Sequence, residues 1–189
     1  MNLIIVSVGT DHHPFNRLID WVDSWESEQD VKFVIQRGTS KESTKWKSDS
    51  LIAHNEILEM FAMSQVVVSH GGPSTVMDIR KSGKMPIVVP RNPEFGEHVD
   101  NHQMLFAEHM MKSDIAKVAN SKDELFELIG QAISNPNDFV ISKQEGFLPG
   151  VLKFGEVLDG LLETSTPIVP DNLKMIDGAL LEPEESEFE

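Results

Sequence analysis

The feature that most constrains this chain is a repeated switch of hydrophobic period between Asn2 and Ser134. Short runs rich in Val and Ile ("LIIVSV", "VKFVIQ", "QVVVS", "MPIVVP", "IAKVA") alternate with segments whose apolar residues recur at helical spacing. The first kind reads as strand and the second as amphipathic helix. In "FNRLIDWVDSW" the residues Phe15, Leu18, Ile19, Trp21, Val22 and Trp25 hold that spacing, and Ile57, Leu58, Phe61 and Ala62 hold it in "LIAHNEILEMFAMS". The strand runs are apolar almost without interruption, so both faces of each are expected to be buried. Strands separated by helices return in parallel, because a parallel pairing needs a long crossover. The expected fold class is α/β: a Rossmann-like parallel sheet with helices on both faces.

Local punctuation agrees with these elements. Gly83 follows "PSTVMDIRKS" as a helix C-cap, and Ser121 stands three residues before Glu124 in the spacing of a capping box. Residues 39–50 are polar and rich in Lys and Ser, and read as a connection. The α/β pattern occupies residues 1–135. Residues 136–170 read as a C-terminal extension, where "FLPGVLKFGEVLDGLLE" is compatible with an amphipathic helix docking on the sheet or on a partner. Residues 171–189 read as a flexible acidic tail.

Charge and composition exclude several function classes. The net charge of −15 leaves no generic surface for nucleic acid, whose binding rests on Lys and Arg meeting phosphates. From Leu161 onward eight acids face one base, Lys174, so this stretch supplies −7 of the total. No apolar stretch approaches the roughly 20 residues of a membrane span. The opening "MNLIIVSVGT" lacks the basic lead and cleavage site of a signal peptide and reads as the first strand. The absence of cysteine rules out disulfides and thiolate chemistry and fits a cytoplasmic location.

The chemistry concentrates in "VVVSHGGPSTVMDI", where two glycines sit between a buried strand and a helix. In an open parallel sheet, ligands bind beyond the carboxyl ends of the strands, where helix N-termini point into the crevice. Bare amides and the positive end of the helix dipole attract phosphate there, and Gly71 and Gly72 carry no side chain to hold it away. Ser74 and Thr75 can add hydroxyl donors, and Asp78, one turn on, can accept from ribose hydroxyls. A pair of glycines here also fits a plain tight turn, and Ser-Thr near a helix start also fits ordinary capping. Neither the Walker pattern nor GxGxxG is present. A second cluster, "EFGEHVDNHQ", falls after the next strand and thus at the same sheet edge. Its Glu97, His98, Asp100, Asn101, His102 and Gln103 offer both the donors and the acceptors that sugar hydroxyls need. His98 and His102 are four apart, but Val99 stands where HExxH requires Glu, so no metal is expected.

Taken with "IIVSVGTDHHPFNRLI" and "FGEHVDNHQ", these blocks make residues 1–133 resemble the donor-binding half of GT-B glycosyltransferases. The resemblance is to PssE-like bacterial exopolysaccharide proteins, themselves similar to the C-terminal half of MurG and to the small catalytic subunit of the eukaryotic dolichol-linked N-acetylglucosaminyltransferase. It implies a single GT-B half-domain with a UDP-sugar as donor and no metal or other cofactor. The diphosphate would lie at Ser69 to Thr75, including His70, Gly71 and Gly72. The ribose would meet Asp78, where family members often carry the longer Glu. Asn101, His102 and Gln103 match the segment associated with the donor sugar and phosphates, and Gly9 and Thr10 match the first-strand loop facing the cleft.

Family members commonly read "THEQPF" where this chain reads "TDHHPF", so position alone assigns no role to His12 or His13. Either could face the anomeric carbon as base or leaving-group stabiliser, and adjacent loop histidines also occur facing solvent. His70 could orient its loop, meet phosphate or simply pack. A glycosyl transfer needs a water-poor cleft and a base for the acceptor hydroxyl, and one half supplies one wall. The resemblance therefore implies a partner, a PssD-like or Alg14-like membrane-anchored subunit carrying the lipid-linked saccharide acceptor. The protein would then be cytoplasmic and recruited to the inner face of the membrane. The competing readings are a non-catalytic nucleotide-sugar-binding module and a one-chain epimerase or hydrolase acting on UDP-N-acetylglucosamine.

Overall fold

Successive side chains of a strand point to opposite faces, and the first strand obeys this rule with apolar residues on both sides. Ile4, Val6 and Val8 pack with Phe15, Leu18 and Ile19 on one face, while Ile5 packs with Ile57, Phe61, Val67 and Ile79 on the other. Ile4, Ile5, Ile19 and Ile79 are fully buried, each worth about 1.5–3 kcal/mol relative to exposure. In the computed structural model, which describes residues 1–27 and 30–141, helices cover both faces of this sheet.

The elements run β1 (Asn2–Ser7), α1 (Asn16–Asp23), β2 (Val31–Gln36), β3 (Lys47–Asp49), α2 (His54–Met63), β4 (Val66–Ser69), α3 (Pro73–Lys81), β5 (Ile87–Val88), α4 (His102–Lys112), β6 (Lys117–Val118) and α5 (Lys122–Ser134). Among the described residues the strands form a 6-stranded sheet in the order β3-β2-β1-β4-β5-β6, with every neighbour pair parallel. A third cluster, Val76, Val88, Ala107, Met110 and Ala116, seats α3 and α4 beside β5. The α/β expectation and the helices on both faces are thus met. One element differs: β3 lies within the polar stretch expected to be a connection. Among the described residues its one neighbour is β2, and an edge strand of polar, partly exposed residues needs no apolar pattern to pair.

The caps follow the sequence. Gly83 adopts φ +84 and donates its N–H to the Arg80 carbonyl at 2.9 Å, closing α3. Ser121 Oγ accepts from the Glu124 amide at 3.2 Å, and Glu124 Oε2 reaches back to the Asn120 amide at 2.7 Å. Residues 136–139 make a single 3-10 turn, and Ile141 N donates to the Gly83 carbonyl. The remainder of the proposed extension and the acidic tail lie outside the described residues. Among the described residues no helix is long and apolar enough to cross a membrane.

The topology positions the site. From β1 the chain steps outward through β2 and β3, then returns to lay β4 on the opposite side of β1. The loops after β1 and β4 therefore diverge, and a crevice opens between them at the carboxyl end of the sheet.

Candidate functional site

A cleft of about 680 Å³ occupies that crevice, within the range of small-molecule sites. Its polar side is lined by Ser7, Gly9, Thr10, Asp11, His70, Ser74, Thr75, Asp78 and Gln103. Its apolar lining is Leu51, Ile52, Ala53, Ile57 and Phe61, with His54 between Ala53 and the rest of α2. Gln36, at the end of β2, sits between the two: its Oε1 accepts from the Ile52 amide at 3.2 Å and its Nε2 reaches Ser7 Oγ at 3.4 Å. Gln36 and the apolar wall escaped the sequence reading, although their place at the strand-end edge could have signalled them.

The N-terminus of α3 opens here. Gly72 precedes the helix and supplies no side-chain cap, and the first intrahelical bond runs from the Val76 amide to the Gly72 carbonyl. The preceding amides of a helix have no intrahelical partner. Two of the expected donors drop out. Pro73 at the first helical position has no N–H, and the Gly71 amide already donates to Ser69 Oγ at 3.2 Å. Among the cleft-lining residues of this turn, Ser74 and Thr75 retain amides and hydroxyls that can donate. Asp78, one turn further along, keeps its side chain 21% exposed with Lys81 Nζ 3.6 Å away.

His70 is enclosed rather than displayed. Its ring has Nδ1 3.4 Å from the Ser7 carbonyl, and a Cβ added at Gly9 would stand 2.5 Å from its Cε1. A Cβ at Gly72 would overlap Nε2 from the other side. Burial drives the His70 pKa down to about 4, with the Arg91 charge acting in the same direction, so the ring is neutral at neutral pH. The tautomer that donates from Nδ1 to Ser7 leaves Nε2 as an acceptor. The glycines thus have a second use: Gly9 and Gly72 make room for the imidazole. Gly71, at φ +86, allows the turn and clears Val88, whose Cγ1 would lie 2.7 Å from an added Cβ.

The second cluster divides. Gln103, in the first turn of α4, lines the cleft, and its Oε1 is buried with no hydrogen-bond partner. Asn101 and His102 are exposed and do not line it, and His102 Nδ1 lies 2.9 Å from Asp100 Oδ2. Glu97, expected among the sugar-facing groups, is only 3% exposed and lies outside the cleft lining. Its Oε1 accepts from Arg17 Nε at 2.9 Å, and its Oε2 accepts from Arg17 Nη2 at 2.8 Å and the Asn92 amide at 2.9 Å. This two-pronged pairing leaves the carboxylate committed inside the protein.

Arg91, fully buried, also went unread in the sequence. Its Nη1 donates to the carbonyls of His13 (2.6 Å) and Glu97 (3.0 Å), and its Nη2 to that of Val8 (2.8 Å). One guanidinium therefore ties the loop after β1 to the loop after β5. On the first of these, Asp11 Oδ1 accepts from both the amide and Nδ1 of His13 at 2.7 Å. Burial pushes the Asp11 carboxyl up, but those bonds and the Arg91 charge outweigh it and hold the pKa below the usual value. The His12 side chain is 82% exposed, and neither His12 nor His13 lines the cleft.

A six-stranded parallel sheet, helices on both faces and a cleft at the strand-order reversal define a Rossmann-like half-domain of the GT-B glycosyltransferase class. The sequence matches the glycosyltransferase family 28 C-terminal domain over residues 3–147, and the chain belongs to that family. No curated protein matches it. Among solved structures, the glycosyltransferase of kitacinnamycin shares 19% identity at a TM-score of 0.54, covering 88% of this chain and 44% of that one. CalG4, the calicheamicin glycosyltransferase, shares 13% identity at a TM-score of 0.58, covering 87% of this chain and 44% of that one. MurG of Acinetobacter baumannii aligns more loosely, at 16% identity and a TM-score of 0.46 over 70% of this chain and 41% of that one. The chain thus spans less than half the length of these enzymes.

Proposed function

We propose that this chain is the catalytic, donor-binding half of a glycosyltransferase that moves a sugar from a UDP-sugar to a lipid-linked acceptor, the acceptor side being supplied by a membrane-anchored partner. The observation that carries the donor reading is the uncapped N-terminus of α3 opening into a cleft that also holds Asp78 and the unpartnered Gln103 Oε1. The apolar wall from Leu51 to Phe61 suits a flat base, the Ser74 and Thr75 donors suit the diphosphate, and Asp78 suits ribose hydroxyls. Gln103 Oε1 is an acceptor in want of a donor, which a sugar hydroxyl provides.

In the transfer, the acceptor hydroxyl oxygen bonds to the anomeric carbon as the bond from that carbon to UDP breaks. UDP leaves with the electron pair, and the hydroxyl proton passes to a base. Negative charge grows on the departing phosphate, and free amides and the positive dipole end at the α3 N-terminus would stabilise it without a metal. Of the adjacent histidines, His13 is the candidate base, standing next to the cleft-lining Asp11: the tautomer that donates from Nδ1 to Asp11 leaves Nε2 to accept a proton. The partner and the lipid-linked acceptor rest on the resemblance to two-chain exopolysaccharide enzymes. They do not rest on the donor cleft.

Calorimetric titration with UDP, UMP and uridine tests the donor reading. UDP is expected to bind at least about tenfold more tightly than uridine, a difference of about 1.4 kcal/mol, with the Ser74 and Thr75 amide resonances shifting. Equal affinities would overturn it. Release of free UDP from a UDP-sugar, with and without a candidate partner, tests the transfer. Binding without release in any combination would mark the chain as a binding module.

A further inference from the structure

We propose that Asp11, His12 and His13 form a binding site for a divalent transition-metal ion such as Zn²⁺, distinct from the donor-phosphate contacts and unneeded for the transfer step. One carboxylate oxygen and one nitrogen from each imidazole lie within 4.8 Å of one another. Asp11 Oδ1 is 2.7 Å from His13 Nδ1 and 3.7 Å from His12 Nδ1. The two imidazole centroids are 3.9 Å apart. Ligands at 2.0–2.2 Å around a tetrahedral ion stand about 3.4 Å from one another, so small side-chain rotations complete the set. Two imidazoles and a carboxylate match the donor preference of zinc and its neighbours, and would disfavour Mg²⁺ and Ca²⁺, which take oxygen ligands.

Neighbouring histidines in a mobile loop would lose much of any such affinity to ordering, but here the backbone is held at all three residues. Thr39 Oγ1 lies 3.2 Å from the carbonyl oxygens of both Asp11 and His12, and Arg91 Nη1 donates to that of His13 at 2.6 Å. The His13 amide is bound to Asp11 Oδ1. The loop is therefore preorganised, and the entropy cost of assembling the ligands is met by folding. The exposed His12 gives an ion a route in from solvent, and Asp11, which lines the cleft, places the site at its rim. An ion on Nδ1 leaves the neutral ring's one proton on Nε2, the atom the transfer needs unprotonated, so occupancy and proton transfer by His13 exclude each other. Only that last consequence rests on the proposed function.

The test is titration of the untagged full-length chain with Zn²⁺ by calorimetry and with Co²⁺ by visible absorption, without nucleotide. One ion per chain is expected. Asp11→Asn, which keeps an acceptor for the His13 amide, and His13→Asn should each weaken binding by at least the roughly tenfold that losing even an outer-shell partner costs. His109→Gln, at the far end of α4, should leave it unchanged. Should Asp11→Asn melt early, His12→Asn serves in its place, because that exposed ring contributes little to the fold. Unaltered affinity in the Asp11 and His12 variants, or no saturable binding up to about 1 mM, overturns the proposal. The outcome is separable from the donor reading, since UDP titration needs neither metal nor these side chains.

Discussion

Nε2 of His70 and the α-carbon of Gly72 approach so closely that a methyl group at residue 72 would overlap the ring nitrogen. Gly72→Ala is therefore expected to displace the imidazole and cost about 1–3 kcal/mol of stability, the usual range for overpacking. Gly72→Ala combined with His70→Ala should recover most of that loss in urea denaturation. If the α-carbon also lies against the donor phosphate, the double variant will bind UDP less tightly than His70→Ala alone. Recovery of both stability and affinity would confine Gly72 to housing the ring.

His70 also gives the fold a pH dependence of known sign. Its native pKa of about 4 lies below the ordinary 6.5, so the native state binds fewer protons than the unfolded one. Its contribution is complete above pH about 6.5 and is lost as pH falls toward the native value. Between pH 7 and pH 4 the loss is about 3 kcal/mol. Urea unfolding across that interval should show wild type losing about this much more stability than His70→Asn, and parallel curves would remove the buried neutral imidazole from the account.

Gln103 separates binding from folding. Its Oε1 is buried without a partner, so Gln103→Leu removes an unsatisfied acceptor and should leave the melting temperature unchanged or raised. Donor affinity should fall by about 1 kcal/mol, roughly fivefold, for the lost hydrogen bond. The measurement is a melt and a UDP-sugar titration on the same preparation. A destabilised variant with intact affinity would reverse the assignment.

Glu97 should behave in the opposite way. With Arg17 17% and Glu97 4% exposed at the side chain, removing one partner strands a buried charge. Glu97→Leu is expected to cost about 3–5 kcal/mol, and Arg17→Met added to it should restore much of the loss, because an apolar pair avoids the desolvation penalty. A double-mutant cycle in urea measures the coupling. Additive losses would mean that the pair contributes no interaction of its own.

Residues within a few positions of each other in "FGEHVDNHQ" thus take opposed fates, and the sequence could not rank them. Glu97, Asn101, His102 and Gln103 present equally polar side chains, and which one reaches the cleft depends on how α4 is set beside β5. Glu97 turned inward because Arg17, 80 residues away in the chain, supplies the fork it fits. Likewise Gly9 and Gly72 are needed around one ring, a requirement visible only when the loops after β1 and β4 meet. The edge strand β3 escaped for a different reason: a polar strand with one neighbour leaves no hydrophobic period to read.

By itself, the sequence determined the parallel sheet, its two helical coats, the caps at Gly83 and Ser121, and the sheet edge at which the cleft opens. These follow from the period of apolar residues and from backbone rules that act over a few positions. Tertiary structure alone decided which polar groups face the cleft and which are spent in the interior. Arg91 joining Val8, His13 and Glu97 is the clearest case, because a buried guanidinium takes its partners from whatever loops the finished sheet brings within reach.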